Sequence, residues 1–313
     1  MPTTWYCQSN ASGTNAGTSA NPFQTLSAAA AAYAAGDTIL VNTTANTPYK
    51  FTLSTAVAWN TAGSYNTRVK IVGVNSSWVE DGTLAVVDGN SAAANCFTKG
   101  TSSHFLIFRN FELKNSTGSA FVAGAYYNFN RNIYIHNCGT YGVTGNGYDS
   151  WEKSTVGNSG SVGFYGCSSA VMCISYSAST SGLQGVSNVV FGNIAYDCTT
   201  YGIYGGISII NNVVNNCNYG IVFSVLEIKA LGNRLTNNAT TGLYVSNNCG
   251  GYEDFNFFLG NGATITLSGT GYCYSPGNSL SAGTEGYTNK AGKVFNLTDA
   301  ATLRRTATKV GAF

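Results

Sequence analysis

Two short segments, NIAYDC at residues 193–198 and NVVNNC at residues 212–217, carry the pattern that decides the fold. Each begins with asparagine, has an apolar second residue and ends with cysteine. Five further segments align with them, and successive first residues lie 22, 41, 20, 19, 21 and 23 positions apart. The step of 41 implies one degenerate turn near residues 148–158. A period of about 20 residues predicts a solenoid with one turn per repeat.

The columns of this alignment predict which side chains point inward. The apolar second position, with Phe111, Ile133 and Ile194 among its members, is expected to face the core. A glycine that follows six of the seven segments, such as Gly202 or Gly220, is expected to turn the backbone with a positive φ. The first and sixth positions should form ladders between turns stacked ~4.8 Å apart. These ladder residues are Asn110, Asn132, Asn193, Asn212, Asn233, Asn256, Asn115, Asn137, Cys198, Cys217, Asn238 and Asn261.

Composition supports a globular chain of short strands and excludes several functions. Hydrophobic residues make up 44% of the chain and charged residues only 9%, with 38 glycines for turns. The net charge of +2 without a basic cluster argues against nucleic-acid binding. No apolar run approaches ~18 residues, so no membrane span is expected, and the first residues do not resemble a signal peptide. The nine cysteines form no C-x-x-C pair and are expected to be reduced core residues.

The chain is expected to form one continuous domain in three parts. Residues 1–41 would be an N-terminal cap, with a helix at about 22–35 and a first strand. Asn21, Pro22 and Gln24 resemble an N-cap, a first helical residue and part of a capping box. Residues 42–267 would be the solenoid, and residues 268–313 a loop-rich C-terminal cap or tail.

The opening at residues 21–41 and the repeats at residues 105–267 resemble the pectate-lyase-like superfamily of parallel β-helices. This resemblance implies an all-β, single-stranded, right-handed parallel β-helix with a short N-terminal capping α-helix. The superfamily contains lyases, hydrolases, epimerases, phage tailspikes and non-catalytic adhesins, so the resemblance is specific for fold and not for function. We find no run similar to the arginine motif of pectate lyases or the motifs of polygalacturonases.

Sugar-binding or catalytic residues could lie in a segment that interrupts the repeat at residues 145–153. Tyr148 and Trp151 could stack on sugar rings beside the carboxylates of Asp149 and Glu152, and the two carboxylates with Lys153 could support catalysis. The alternative is an ordinary solvated loop.

A second candidate is an outward polar stripe that contains Lys114 and His136 on neighbouring turns. The stripe could bind a ligand or take part in catalysis, or it could be a solvent-exposed surface without a specific function.

Three early acidic residues, Glu80, Asp81 and Asp88, could supply oxygen ligands to Ca²⁺. Asp81 and Asp88 each precede glycine, and Asp-Gly turns explain both of them without a metal. We therefore expect no metal and no cofactor.

Three functions remain open from sequence. The first is a non-catalytic virion-associated or extracellular β-helix that binds a polysaccharide or cell-surface glycan, or serves as a structural spike or adhesin. The second is a polysaccharide lyase or glycoside hydrolase with a divergent site. The third is a scaffold without a ligand. Other virion proteins, or two further copies in a homotrimer, are expected as partners of a spike.

Overall fold

A computed structural model describes residues 1–43, 50–61, 63–100, 104–124, 127–277, 279–283 and 286–288. The chain divides into two compact units, Met1–Gly160 and Ser161–Phe313. In each unit the strands pair in three parallel series, called three sheets below, which confirms the predicted all-β parallel solenoid. Most of the predicted C-terminal tail, residues 289–313, lies outside the described residues.

Thirteen strands form the first unit. They are β1 Thr4–Gln8, β2 Thr38–Asn42, β3 Phe51–Thr52, β4 Val57–Trp59, β5 Val69–Val74, β6 Ala85–Asp88, β7 Phe97–Lys99, β8 Leu106–Lys114, β9 Phe121–Val122, β10 Phe129–Cys138, β11 Val143–Thr144, β12 Ser150–Glu152 and β13 Thr155–Ser159. The first sheet runs β1–β2–β5–β8–β10–β12, the second β3–β6–β8–β10–β13 and the third β4–β7–β9–β11. Strands β8 and β10 enter two sheets because each bends at a left-handed asparagine, Asn110 with φ 59° and Asn132 with φ 52°.

The second unit repeats this plan with shorter strands. They are β14 Val162–Tyr165, β15 Ser169–Val171, β16 Ile174–Tyr176, β17 Ser181–Gln184, β18 Val189–Phe191, β19 Ile194–Tyr196, β20 Tyr201–Tyr204, β21 Ser208–Ile210, β22 Val213–Asn215, β23 Tyr219–Phe223, β24 Ile228–Leu231, β25 Arg234–Thr236, β26 Thr241–Val245, β27 Gly250–Asp254, β28 Phe257–Leu259, β29 Ile265–Leu267, β30 Tyr272–Tyr274, β31 Leu280–Gly283 and β32 Gly286–Thr288. Parallel pairing continues through β30 and β31, beyond the predicted end of the solenoid at residue 267. Strand β32 returns antiparallel to β31.

The helix is shorter than the predicted range of 22–35. Helix α1 spans Leu26–Ala32, and Thr25 is its N-cap, with Oγ1 accepting from the backbone N–H of Ala28 at 3.1 Å. The predicted N-cap Asn21 was wrong because Phe23 is held in an extended bridge to β1, where its N–H donates to the Tyr6 carbonyl. The helix packs on β1 and β4.

A buried asparagine ladder crosses the second unit. Asn193, Asn212, Asn233 and Asn256 are at most 1% exposed. Each backbone N–H of the first three donates to the side-chain oxygen of the next asparagine at 2.8–2.9 Å. Their amide nitrogens donate to the same oxygens and to backbone carbonyls. Buried polar groups are thereby satisfied by the adjacent turn.

In the first unit the aligned asparagines occupy a different position. Asn110 and Asn132 are the left-handed bend residues themselves, one residue before the buried position that Phe111 and Ile133 fill. Asn132 donates from its amide to the Asn110 side-chain oxygen at 2.8 Å. The alignment therefore combined two neighbouring columns, because asparagine serves both as a left-handed residue and as a buried ladder residue.

This shift also overturns the predicted inward column in the second unit. Ile194 and Val213 are half-buried, whereas Ala195, Val214 and Leu235 are buried. The reason is that the ladder asparagine already points inward, so period-two alternation brings the third residue inward rather than the second.

At the sixth position of the repeat, the two units again differ between a buried ladder residue and a left-handed turn residue. In the second unit Cys198 and Cys217 are buried, and the ladder continues where the Cys217 N–H donates to the Asn238 side chain and the Asn238 N–H to Asn261. In the first unit Asn115 and Asn137 are left-handed turn residues with φ 55° and 56°. All nine cysteines are free thiols, and seven of them are buried.

The glycine column has a different cause from the one predicted. Gly182, Gly202 and Gly220 do not have positive φ. A Cβ built on Gly202 would lie 2.1 Å from Val214 Cγ1, so glycine is needed where two sheets approach closely.

Replacing Asn212 with alanine should destabilise the protein by about 2–4 kcal/mol, because it leaves the buried Asn193 N–H without its acceptor and removes one donor from each of the Val190 and Ile210 carbonyls. Chemical denaturation measures the free energy of unfolding. The matched control is Asn216→Gly at an exposed asparagine with φ 53°, which should change stability by about 0.5 kcal/mol or less. Equal losses in both variants would contradict the ladder's role.

Candidate functional site

The outer face of the first unit carries polar and aromatic side chains that recur from turn to turn. Along β8, Phe105 and Arg109 face outward, while Leu106 and Phe108 are buried. The same alternation exposes Tyr127 and Arg131 next to β10, and Tyr148 and Glu152 next to β12. Three stacked turns therefore present equivalent residues four positions apart. These are Phe105 and Arg109, Tyr127 and Arg131, and Tyr148 and Glu152.

The segment 145–153, predicted to be an inserted loop, contains a regular strand. Trp151 is 1% exposed and packs its ring on Phe121, and Asp149 is fully buried. The prediction of sugar contacts for both residues was wrong, because strand alternation turns them inward. Asp149 and Glu152 lie on opposite faces of β12, so they cannot form the carboxylate pair of a glycosidase. Tyr148 is 48% exposed and Lys153 is exposed.

A cationic groove of about 410 Å³ lies at the bend of β8 and β10. Three cations and one carboxylate line it. Its lining consists of Arg109, Arg131, Lys153, Glu80, Gly82, Asn110 and Asn132. Glu80 Oε1 lies 3.5 Å from Arg109 Nη1, and Glu152 Oε1 lies 3.8 Å from Arg131 Nε. Both ion pairs are partly exposed and individually weak. Three cations against the carboxylates of Glu80 and the adjacent Glu152 leave one net positive charge, that of Lys153, at the groove.

Beside the groove runs an aromatic strip formed by Tyr65, Phe105, Tyr127 and Tyr148, of which Phe105 is half-buried and the three tyrosines are exposed. Phe105 and Tyr127 stack with centroids 5.5 Å apart and ring planes 13° apart. Tyr148 contacts Tyr127 at 5.8 Å, and Tyr65 contacts Phe105 at 6.4 Å. Tyr65 and Tyr127 are 71% and 60% exposed. The strip lies four residues along the chain from the arginine column, which is at most ~14 Å between Cα atoms.

A third cluster follows the bend on the same strands. Glu112 Oε1 lies 3.1 Å from His136 Nε2 and 2.7 Å from Lys114 Nζ. Strand register places His136 beside Lys114, and the Tyr134 ring stacks on the imidazole at 4.7 Å. Hydrogen bonds from His136 and Lys114 lower the pKa of the Glu112 carboxyl to about 2. Glu112, which the sequence did not single out, therefore joins the two predicted stripe residues.

The three candidate calcium ligands have separate partners. Glu80 pairs with Arg109, Asp81 accepts from Asn75 and Thr83, and Asp88 accepts from Lys50 and Asn115. Hydrogen bonds from Thr83 and Asn75 lower the pKa of Asp81. Within the part of the chain that the structure describes, no three His, Cys, Asp or Glu residues gather as a metal site would require.

The groove arginines were not predicted, although the sequence contains a signal for them. The dipeptide Arg-Asn occurs at residues 109–110 and again at 131–132, one repeat later. Because stacked turns align equivalent residues, a charged residue repeated at this spacing indicates a column of charge. The aromatic residues Phe105, Tyr127 and Tyr148 recur at the same spacing.

Solved structures of similar architecture include three polysaccharide lyases. Pectate lyase Pel9A matches with a TM-score of 0.61 and 16% identity over 99% of this chain and 87% of its own. A rhamnogalacturonan lyase matches at 0.60 and 17%, over 97% and 92%. The alginate lyase from Paenibacillus sp. str. FPU-7 matches at 0.52 and 14%, over 87% and 98%. The chain thus has the pectate-lyase-like β-helix fold, and at these identities the likeness is one of fold alone.

No protein-family model matches the sequence, and no curated protein matches it either. Of the helices in the described residues, none combines the length and the apolar character needed to cross a membrane.

Replacing Glu112 with glutamine should alter the acid dependence of stability. Because the folded-state pKa of Glu112 lies below its unfolded value of about 4.3, its contribution is present above that value and is lost as pH falls towards about 2. The free-energy difference between wild type and Glu112→Gln, of order 1–2 kcal/mol after allowance for solvent screening, should shrink across this range. Denaturation at several pH values measures it.

The exposed carboxyl of Glu227 offers the control. Glu227→Gln removes one exposed carboxyl and controls for the loss of a negative charge in the same pH window. If the Glu112→Gln difference were constant across the window, the hydrogen bonds from His136 and Lys114 would not form in solution.

Proposed function

We propose that this protein binds an anionic polysaccharide along the outer face of its first unit and does not cleave it. The observation that carries the proposal is the aromatic strip of Tyr65, Phe105, Tyr127 and Tyr148 beside a column of arginines. The fold it shares with three polysaccharide lyases supports a glycan ligand.

The aromatic strip has the chemistry that sugar rings require. A pyranose ring presents a face of C–H groups, which stacks on an aromatic ring and buries apolar area without losing the hydroxyl hydrogen bonds. Tyr127 and Tyr148 also offer phenol hydroxyls at the edge of that surface. Because the rings recur on successive turns, a chain of sugars could contact several of them at once.

The cationic groove indicates the charge of the ligand. Arg109 and Arg131 are paired in strand register, and Lys153 lies on the next turn at the bend. Guanidinium groups bind carboxylates and sulfates through two parallel hydrogen bonds. A polymer of uronate or sulfated sugars would supply anions at intervals along the groove, whereas a neutral polymer would gain nothing from the excess positive charge there.

Such a ligand fits a protein that works outside the cell or on a virion surface, where acidic capsules and wall polymers are found. We propose binding to a cell-surface glycan as the role there. A homotrimeric spike and contacts with other virion proteins belong to the same proposal.

The variant Tyr127→Ala should weaken binding of a soluble polyuronate at least tenfold, or about 1.4 kcal/mol, because it removes the central ring of the strip. Affinity electrophoresis in polyuronate gels measures the dissociation constant. Arg131→Gln should weaken binding as well and reduce its dependence on salt.

Tyr274→Ala is the matched control, since Tyr274 is 65% exposed but lies in the second unit. It should leave binding unchanged. Equal retardation of all four proteins, or equal binding of a neutral polymer, would contradict the proposal.

A second candidate function is β-elimination, and the Glu112–His136–Lys114 cluster is the observation that favours it. A base must take the proton beside the uronate carboxyl, while a cation neutralises that carboxylate. His136, hydrogen-bonded to Glu112, is suited to be the base, and Lys114, beside it in strand register, could neutralise the charge. The alcohol of the preceding sugar would leave as a double bond forms.

If this second function holds, wild type should generate the ultraviolet absorbance of an unsaturated uronate. His136→Asn should abolish the absorbance and retain binding in the electrophoresis assay. Binding without any absorbance from wild type would leave the non-catalytic function as the correct one.

A further inference from the structure

One ionisable pair lies inside the solenoid, apart from the outer face. Lys99, at the end of β7, and Asp149, just before β12, have side chains that are fully buried. Lys99 Nζ lies 3.9 Å from Asp149 Oδ2. The ammonium nitrogen sits 5.0 Å from the ring centroid of Phe108 and 4.6 Å from that of Phe121. Aromatic rings therefore exclude water from an amine and a carboxyl group that face each other.

The geometry points to a covalent bond between them. We propose that Lys99 and Asp149 condense to an isopeptide cross-link, an amide between Nζ and Cγ that forms with the loss of one water molecule. The proposal is independent of glycan binding, since neither residue reaches the outer face.

The surroundings suit both partners of this reaction. Proton transfer from the ammonium to the carboxylate yields an amine and a carboxylic acid, a neutral pair that a dry interior favours over the two charges. Burial raises the pKa of the Asp149 carboxyl, consistent with its acid form. The neutral amine is the nucleophile, and proximity replaces the entropy cost of bringing it to the carboxyl carbon.

Asn128 polarises the carboxyl group. Its Nδ2 donates to Asp149 Oδ1 at 2.9 Å, and its backbone N–H donates to the same oxygen at 3.3 Å. Two donors on Oδ1 stabilise the negative charge that develops there when Nζ attacks Cγ. Oδ2, the oxygen nearer Nζ, is then the leaving group.

The atoms of the step balance without a further reactant. A bond forms between Nζ and Cγ, and the bond between Cγ and Oδ2 breaks. Oδ2 departs as water with the acid proton and one amine proton, so nothing is oxidised or reduced. The product is a neutral amide in place of two buried ionisable groups, and it closes a loop from residue 99 to residue 149.

The test is the intact mass of the purified full-length chain under denaturing conditions. We expect a mass lower than that of the sequence by one water, and a protease digest whose tandem mass spectrum joins the Lys99 peptide to the Asp149 peptide. Wild-type protein with the full sequence mass would overturn the proposal.

Two variants test whether Lys99 forms the cross-link. Lys99→Met should restore the full mass, whereas the control Lys70→Met, at an exposed lysine, should retain the loss of water. Succinimide formation at Asp81-Gly82 or Asp88-Gly89 would also remove water, but that loss would persist in Lys99→Met and would be reversed by hydroxylamine. Persistence of the loss in Lys99→Met therefore refutes the cross-link even if the variant is poorly folded.

Discussion

Every inward-facing residue of this protein must fit the residue stacked on it in the next turn, and this constraint governs the rest of the structure. Turns separated by ~4.8 Å leave no room for water between equivalent side chains. An apolar residue therefore packs on another apolar residue, and a buried polar residue must find its partner one turn away. The asparagine ladder of the second unit meets the requirement, because each side-chain oxygen accepts the backbone N–H and amide of the asparagine stacked on it.

The same constraint creates the candidate site on the outside. Residues that recur once per turn become columns, so a repeated Arg-Asn pair becomes a strip of charge and a repeated aromatic residue becomes a strip of rings. Neither strip needs a specialised loop, because stacking alone aligns Arg109 with Arg131 and Phe105 with Tyr127. The outer face can thus hold a repeating polymer, whose own groups recur along its length.

Asparagine residues contribute both to the buried ladder and to the candidate site on the outer face. At Asn110 and Asn132 a positive φ bends a continuous strand from one sheet into the next, and the cationic groove forms at this bend. In the second unit the left-handed residue lies between two shorter strands, and the asparagine that follows it turns inward. One residue type therefore plays two roles at neighbouring positions, which the repeat spacing cannot separate.

By itself, the sequence determined the solenoid, its period and the reduced cysteines, because spacing and composition are properties of the chain alone. It also indicated the ladder from Asn193 to Asn256, since asparagine repeats there at one interval. Only the tertiary structure decided which way each residue faces. A one-residue difference in register exchanges inside for outside, so Trp151 and Asp149 became core residues, whereas Arg109 and Arg131 came to line a groove. The contact between Lys99 and Asp149 is likewise visible only in the tertiary structure. Their separation of 50 residues is not a multiple of the repeat period, so the sequence spacing does not predict it.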